Sequence, residues 1–417
     1  MEIKRDTYLN KLIRKRKNSL IKIVTGVRRC GKSYLLFRLF HDYLKNIGIE
    51  DDHIIEISLD DRTNKALRDP DALLAFIKES ITDKEDYYIV LDEVQYLPEF
   101  EDVLNSLLHI PNADVYVTGS NSKFLSSDLI TQFRGRGVEI RVHPLSFSEY
   151  VSAYQGSLDE AWDDYLVFGG LPMILSMQVP EDKEEYLTSL FQKVYVSDIV
   201  DRHNVRNKAE LDELVDILAS STGSYTNHSK LVRTFKSVKG KVISDKTVKT
   251  YIDYLQDSFL INKANRYDIK GKKYIGSLCK YYFEDIGLRN ARLGFRQIEP
   301  PHLMENIIYN ELKYRGYLVD VGVVEHYKNL QDGKKKKSQL EVDFVATKGS
   351  EKYYIQSAFA LSSEEKIEQE QRSLLYIPDS FRKIIVVGDN IKVRRDENGI
   401  ITIGLKNFLL DENSLKF

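Results

Sequence analysis

Gly26-Val27-Arg28-Arg29-Cys30-Gly31-Lys32-Ser33 fits the pattern G-x-x-x-x-G-K-[ST], in which a Gly-rich loop cradles a polyphosphate. Before it, Leu20-Ile21-Lys22-Ile23-Val24-Thr25 reads as a short buried strand. After it, Tyr34 to Phe40 carries apolar residues at helical spacing. Strand, loop and helix in that order turn backbone N–H groups and the positive end of a helix toward one anion. The candidate nucleotide contacts are therefore Gly26, Val27, Arg28, Arg29, Cys30, Gly31, Lys32, Ser33 and Tyr34. Lys32 would reach the β- and γ-phosphates of ATP, and Ser33 would ligate Mg2+.

A second motif lies about sixty residues further on. Tyr87-Tyr88-Ile89-Val90-Leu91-Asp92-Glu93 is an apolar run closed by two acids, as expected of a central parallel strand ending in a Walker B site. Asp92 is the candidate Mg2+ ligand, and Glu93 the candidate group that polarises the attacking water. Asp114 to Thr118 reads as another buried strand, followed by Gly119-Ser120-Asn121. Ligands collect at the carboxyl ends of parallel strands. Asn121 or Ser120 thus either orients a water beside the γ-phosphate or caps the next helix. Arg134 and Arg136, in Arg134-Gly135-Arg136-Gly137, are candidates for an arginine supplied across a subunit interface. The alternative is two solvated cations in a Gly-rich turn. Residues 6–17 read as a basic amphipathic helix, Ile54 to Leu59 as a strand, Asp71 to Ser80 as a helix begun at Asp69-Pro70, and Val138 to Val142 as a strand.

The P-loop, Leu91-Asp92-Glu93-Val94-Gln95, Thr118-Gly119-Ser120-Asn121 and Pro144-Leu145-Ser146-Phe147-Ser148-Glu149-Tyr150 together resemble a widespread family of prokaryotic AAA+-like P-loop ATPases. In that family a region of unknown function follows the ATPase core. Phe168-Gly169-Gly170-Leu171-Pro172 and Tyr281 to Leu288 look like further hallmarks of it, so the resemblance covers nearly the whole chain. It implies an additional-strand (ASCE-type) P-loop sheet, Mg-ATP as cofactor and ATP hydrolysis.

Beyond the core (1–150), residues 151–207 have helical character and are expected to form a lid. Residues 208–290 read as three helices and a hairpin, the outline of a winged helix-turn-helix. The helices are Glu210 to Ala219, Ser229 to Phe235, and Ser244 to Leu255 with Ser244 as N-cap. The hairpin tip is Lys270-Gly271-Lys272-Lys273. From His228 to Lys273 there are twelve Lys or Arg against four Asp, a local +8 in a chain of net charge −2. Such a patch is the footprint of phosphate binding. Lys246, Lys249, Lys270, Lys272 and Lys273 are the candidate DNA contacts, mainly to the backbone. The alternative is a packing module whose lysines are solvated.

Residues 291–417 have the element order of a restriction-endonuclease-like α/β domain. Met304 to Leu312 would be a helix, and Val319 to Val324, Leu340 to Ala346 and Lys352 to Ser357 strands. A helix from Ser363 to Leu375 and a strand from Lys383 to Val387 follow. Asp343 fits the first acid of the PD-(D/E)xK pattern, and Glu305 could add a helix carboxylate. Gln356 and Ala358 stand where an acid and a lysine are needed, so this nuclease-like domain is read as degenerate and inactive. Lys348 or Lys352 is the remaining candidate for the ammonium. Lys334 to Lys337 are placed in a loop.

The chain has two cysteines and no apolar run long enough for a membrane helix. A cytoplasmic protein without a membrane partner is expected. The expected partners are DNA and further copies of the chain, with a hexameric ring as one arrangement. Three functions compete: a DNA-acting ATPase that moves or remodels its substrate, an ATP-dependent regulatory switch with a DNA-binding module, and an ATP-dependent nuclease.

Overall fold

The computed structural model describes residues 3–119, 135–240, 243–329, 335–361 and 363–416. The chain forms two compact units. One comprises Met1–Pro144, Leu171–Met173 and Asp257–Phe259, the other Leu145–Gly170, Ile174–Gln256 and Leu260–Phe417. Among the described residues no helix is long and apolar enough to cross a membrane.

The first unit is built on five parallel strands: β1 (Ile21–Thr25), β2 (Ile54–Ser58), β3 (Tyr87–Asp92), β4 (Ala113–Thr118) and β5 (Gly137–Arg141). Their order is β2-β3-β4-β1-β5. β4 therefore separates the strand before the P-loop from the strand ending in Asp92, as the family resemblance implies. β1 and β3 are buried along their whole length, which is why both read as near-continuous apolar runs. Ile23, Ile57, Leu73, Ile89, Leu104 and Val117 belong to one core. Lys22 is the exception within β1. It is fully buried, and its ammonium pairs with Asp114 on β4. Tyr116 donates to the same carboxylate at 2.8 Å. Burial pushes the Lys22 ammonium below its ordinary value, and Asp114 opposes that shift.

The local signals act as expected. Asp69 caps the helix Pro70–Ser80 by accepting the Ala72 N–H at 2.9 Å. The N-terminal helix Asp6–Lys15 stops short of residue 17 because Arg16 turns extended and the Lys17 N–H donates to Asp114 at 2.9 Å. After the P-loop the chain is helical over 32–46, with a wide π-type turn at Leu35–Phe40 that apolar spacing does not announce.

The second unit contains an eight-stranded mixed sheet: β6 (Ile261–Asp268), β7 (Lys273–Phe283), β8 (Leu318–Asn329), β9 (Lys335–Lys348), β10 (Glu351–Ala358), β11 (Arg382–Val387), β12 (Arg394–Arg395) and β13 (Ile401–Gly404). The order is β12-β13-β11-β10-β9-β8-β6-β7. The β6–β7 hairpin is part of this sheet and does not stand alone as a wing. Arg266, Tyr267 and Asp268 run parallel to Val321, Gly322 and Val323 of β8, so β8 satisfies an edge that a free wing would leave open. Lys335, Lys336 and Lys337 open β9 and pair with β8, which corrects their placement in a loop. Lys334 lies outside the described residues. The helix Pro300–Tyr314 lies against β7, β8, β9 and β10. Its Tyr309 stacks on Tyr282 of β7, with ring centroids 4.2 Å apart.

Phe168-Gly169-Gly170 and Asp285-Ile286-Gly287, two stretches the sequence left without a role, close on each other. The Asp285 carboxylate accepts the N–H of Gly170 at 2.7 Å and of Leu288 at 3.0 Å. Gly169 has φ +73°, and a Cβ there would meet Asp285 Oδ1 at 2.4 Å. A Cβ on Gly287 would lie 2.0 Å from the Phe168 carbonyl oxygen. Asn290 adds hydrogen bonds to the carbonyls of Leu166 and Val167.

Burial pushes the Asp285 carboxyl from 3.8 up to about 6, against the N–H bonds from Gly170, Leu288 and Gly287. An acid raised by folding takes up a proton on folding between the two values, so its contribution to stability is lost as pH rises through that window. Relative to Asp285→Asn, the wild-type protein should lose about 3 kcal/mol between pH ~3 and ~7. Denaturant titrations of both proteins across that range test this; curves that stay parallel refute it.

Candidate functional site

Parallel strands deliver their carboxyl ends to one edge of a sheet. In the first unit that edge holds the end of β1 with the P-loop, Asp92 at the end of β3 and Thr118 at the end of β4. The loop turns through Arg29 at φ +65° and Gly31 at φ +97°. Lys32 is buried, and its ammonium donates to the carbonyls of Gly26 at 3.1 Å and Val27 at 3.2 Å. Ser33 and Arg29 are exposed, Arg28 and Tyr34 half-buried, and Val27 and Cys30 fully buried. The Cys30 thiol donates to the Val142 carbonyl at 3.4 Å. The Tyr34 hydroxyl accepts the Ile3 N–H at 3.4 Å.

Thr118 joins the two acids, a role the sequence did not suggest. Its hydroxyl donates to Asp92 Oδ1 and accepts the Glu93 N–H at 3.0 Å. The Gln95 side-chain amide donates to the Glu93 carboxylate, and Glu93 itself sits at φ +52°. Burial pushes the Asp92 carboxyl above its ordinary value. Hydrogen bonds from Thr118 and Ser33 oppose the rise, and the nearby charges of Glu93 and Asp60 add to it. A buried carboxylate crowded by other acids, with a serine hydroxyl in reach, suits a divalent cation. The tight turn of the loop and the Lys32 ammonium held inside it suit a polyphosphate. The residues present thus fit Mg-ATP.

Other candidates fall elsewhere. Ser120, Asn121 and Arg134 lie outside the described residues. Arg136 is exposed and precedes β5, where its carbonyl accepts the Ile21 N–H at 2.9 Å. It stands at the amino end of the sheet, about 15 Å of strand from the P-loop edge. β5 carries Arg141 to the P-loop edge instead, beside Thr25, with its guanidinium 4.8 Å over the Phe259 ring.

In the second unit Lys246 and Lys249 are exposed, three residues apart on the helix Asp245–Asp257, whose other face buries Val248, Tyr251, Ile252 and Leu255. Lys270, Lys272 and Lys273 are exposed at the β6–β7 turn. Neither lysine proposed to replace the missing nuclease ammonium faces Asp343. Lys348 donates to the Arg315 carbonyl at 2.7 Å, and Lys352 lies over the rings of Phe381 and Tyr267.

Comparison with known proteins agrees with this geometry. Residues 18–151 match the model of an AAA domain family, and residues 159–299 match a domain of unknown function. An uncharacterized protein of Haemophilus influenzae is 33% identical over 414 residues, 98% of each chain. The chain belongs to this family of AAA-domain P-loop ATPases. The uncharacterized protein MJ1544 of Methanocaldococcus jannaschii is 28% identical over 362 residues, 83% of this chain and 76% of that one. Among solved structures, the Walker-type ATPase PABY2304 of Pyrococcus abyssi aligns with a TM-score of 0.48 at 16% identity, over 70% of this chain and 96% of that one.

Gly26 is the tightest point of the loop. It has φ +142°, and a Cβ would lie 2.1 Å from the Val142 carbonyl oxygen. Gly26→Ala should destabilise the first unit by about 2 kcal/mol or more. A thermal melt that matches the wild-type protein refutes this.

Proposed function

We propose that the chain hydrolyses Mg-ATP at the carboxyl edge of the parallel sheet and couples the reaction to DNA, acting as a homo-oligomer. The observation that carries the reading is the convergence of Lys32, Ser33, Asp92, Glu93 and Thr118 on that edge. Lys32 exchanges the carbonyls of Gly26 and Val27 for phosphate oxygens. Ser33 and Asp92 hold the cation, and Glu93 accepts the proton of the attacking water. Bound Mg2+ supplies charge neutralisation of the phosphate oxygens. Thr118 fixes both acids relative to each other. Asn121 is assigned to orienting that water. Arg134 and Arg136 are assigned to a neighbouring copy's site, in keeping with the position of Arg136 away from its own P-loop.

The DNA reading rests on exposed cations. On the helix His228–Lys239 these are Lys230, Arg233 and Lys236; on the following helix, Lys246 and Lys249; at the hairpin tip, Lys270, Lys272 and Lys273. The three helices and hairpin are read as a winged helix-turn-helix whose hairpin is anchored in a larger sheet. Residues 291–417 are read as a restriction-endonuclease-like domain without nuclease activity, which leaves ATP hydrolysis as the chemistry of the chain. Backbone contacts of this kind weaken steeply as salt rises.

Two measurements test this. Steady-state ATP hydrolysis should fall about 100-fold in Glu93→Gln and about 10-fold in Thr118→Val, with nucleotide binding retained and Thr118→Ser close to wild type. Undiminished turnover in Glu93→Gln sinks the site assignment. The same assay with single-stranded, duplex and branched DNA should show stimulation by one form, lost when Lys246 and Lys249 become Ala. Basal turnover that no DNA form changes points to an ATP-dependent regulatory switch instead.

A further inference from the structure

One ammonium and three carboxylates meet in the second unit, where side chains of β7, β9 and the helix Pro300–Tyr314 come together. Lys280 of β7 has a side chain only 4% exposed. Its Nζ lies 2.8 Å from Glu305 Oε1, 2.5 Å from Glu341 Oε1 and 4.0 Å from Asp343 Oδ1. The surroundings are built to hold these groups. Tyr282, two residues along β7, donates its hydroxyl to Glu305 at 2.6 Å. The Ser357 N–H of β10 donates to Asp343 Oδ2 at 2.7 Å. The Tyr225 ring lies 5.5 Å from the ammonium.

The acids are where a nuclease outline would need them, with Asp343 on the strand and Glu305 on the helix. The ammonium is not. In a metal-dependent centre the carboxylates converge on the cation and a lysine stands beside it. Here Lys280 Nζ is itself the point on which the carboxylates converge, brought there from a strand outside the (D/E)-x-K position. A divalent ion would need oxygens of the same carboxylates at about 2.0–2.6 Å and would fall almost on top of the ammonium. Like charges that close in a buried site repel strongly.

We infer that Lys280 is the built-in cation of this centre, occupying the place of a divalent metal and making the site structural. This rests on reading the domain as a nuclease outline without activity. Two consequences bear on the side chains. Burial alone would lower the Lys280 ammonium, yet Glu305, Asp343 and Glu341 together hold it above its ordinary value. Burial and the neighbouring Glu305 push the Asp343 carboxyl up, while Lys280 pulls it down. Removing the ammonium leaves three neighbouring acids, Asp343 the most buried of them, without the charge that balances them, and a divalent cation can supply it.

The test uses the full chain with Asp92→Asn throughout, so that the nucleotide site does not report. Lys280→Met should melt about 10 °C lower, and millimolar Mn2+ should restore most of the loss. Adding Asp343→Asn should abolish the rescue. Lys280→Arg, which keeps the charge, should stay near wild type and indifferent to Mn2+. Electron paramagnetic resonance should show no Mn2+ bound at this centre while Lys280 is present. Mn2+ uptake by the Lys280 protein that Asp343→Asn removes overturns the inference, whether or not Lys280→Met folds. So does a folded Lys280→Met that gains nothing from Mn2+. Failure of the underlying reading looks different: DNA cleavage by the wild-type chain in Mn2+, abolished by Asp343→Ala.

Discussion

The ammonium of Lys22 lies in the middle of the parallel sheet, on the Asp114 carboxylate of the neighbouring strand. Neither charge has water to fall back on, so losing one partner strands the other at a cost of several kcal/mol. The pair ties β1 to β4. One of these strands leads into the P-loop, and the other carries the hydroxyl that spans Asp92 and Glu93. The spacing between phosphate-binding loop and acids thus depends on a contact that touches neither. The second unit meets the same demand by other means. Asp285 is held by backbone N–H groups. Arg289, 1% exposed, donates to the Ala219 and Gln297 carbonyls.

The P-loop edge is set up in advance of its ligand. Lys32 is parked on two carbonyl oxygens of its own loop, so it does not have to be ordered from solvent when phosphate arrives. In the proposed ATPase, phosphate oxygens would replace these neutral acceptors with anionic ones, and charge-assisted hydrogen bonds are roughly twice as strong as neutral ones. The acids are held just as firmly, Asp92 by Thr118 and Glu93 through its backbone and Gln95. A carboxylate that burial has made reluctant to ionise gains most from a nearby cation.

How much was readable in the chain follows from how local each feature is. The P-loop and the Asp92-Glu93 pair are contiguous, with strand and helix signals on either side, and their placement follows from a few residues each. Nothing around Thr118 in the sequence marks it out over Ser120 and Asn121, because its role depends on β4 lying beside β3. Lys280 is hidden in the sequence for a related reason. The motif asks for an ammonium two residues beyond Gln356, whereas the fold supplies one from 63 residues before Asp343. The basic tip of the hairpin says nothing about β8, whose Val321 to Val323 pair with Arg266 to Asp268 across some fifty intervening residues. The short β12 and β13 carry too few residues to show a period.

Cys30 gives the P-loop a reporter of its own. Its thiol is fully buried, turned onto the Val142 carbonyl behind the phosphate-binding face. An alkylating reagent can reach it only when the loop comes away from the backbone that follows β5. Under conditions where closing outpaces the reaction, the rate of thiol modification measures the free energy of that opening. The loop thereby contains a chemical clock, and its slowing with added nucleotide would measure how tightly the ligand holds the loop shut.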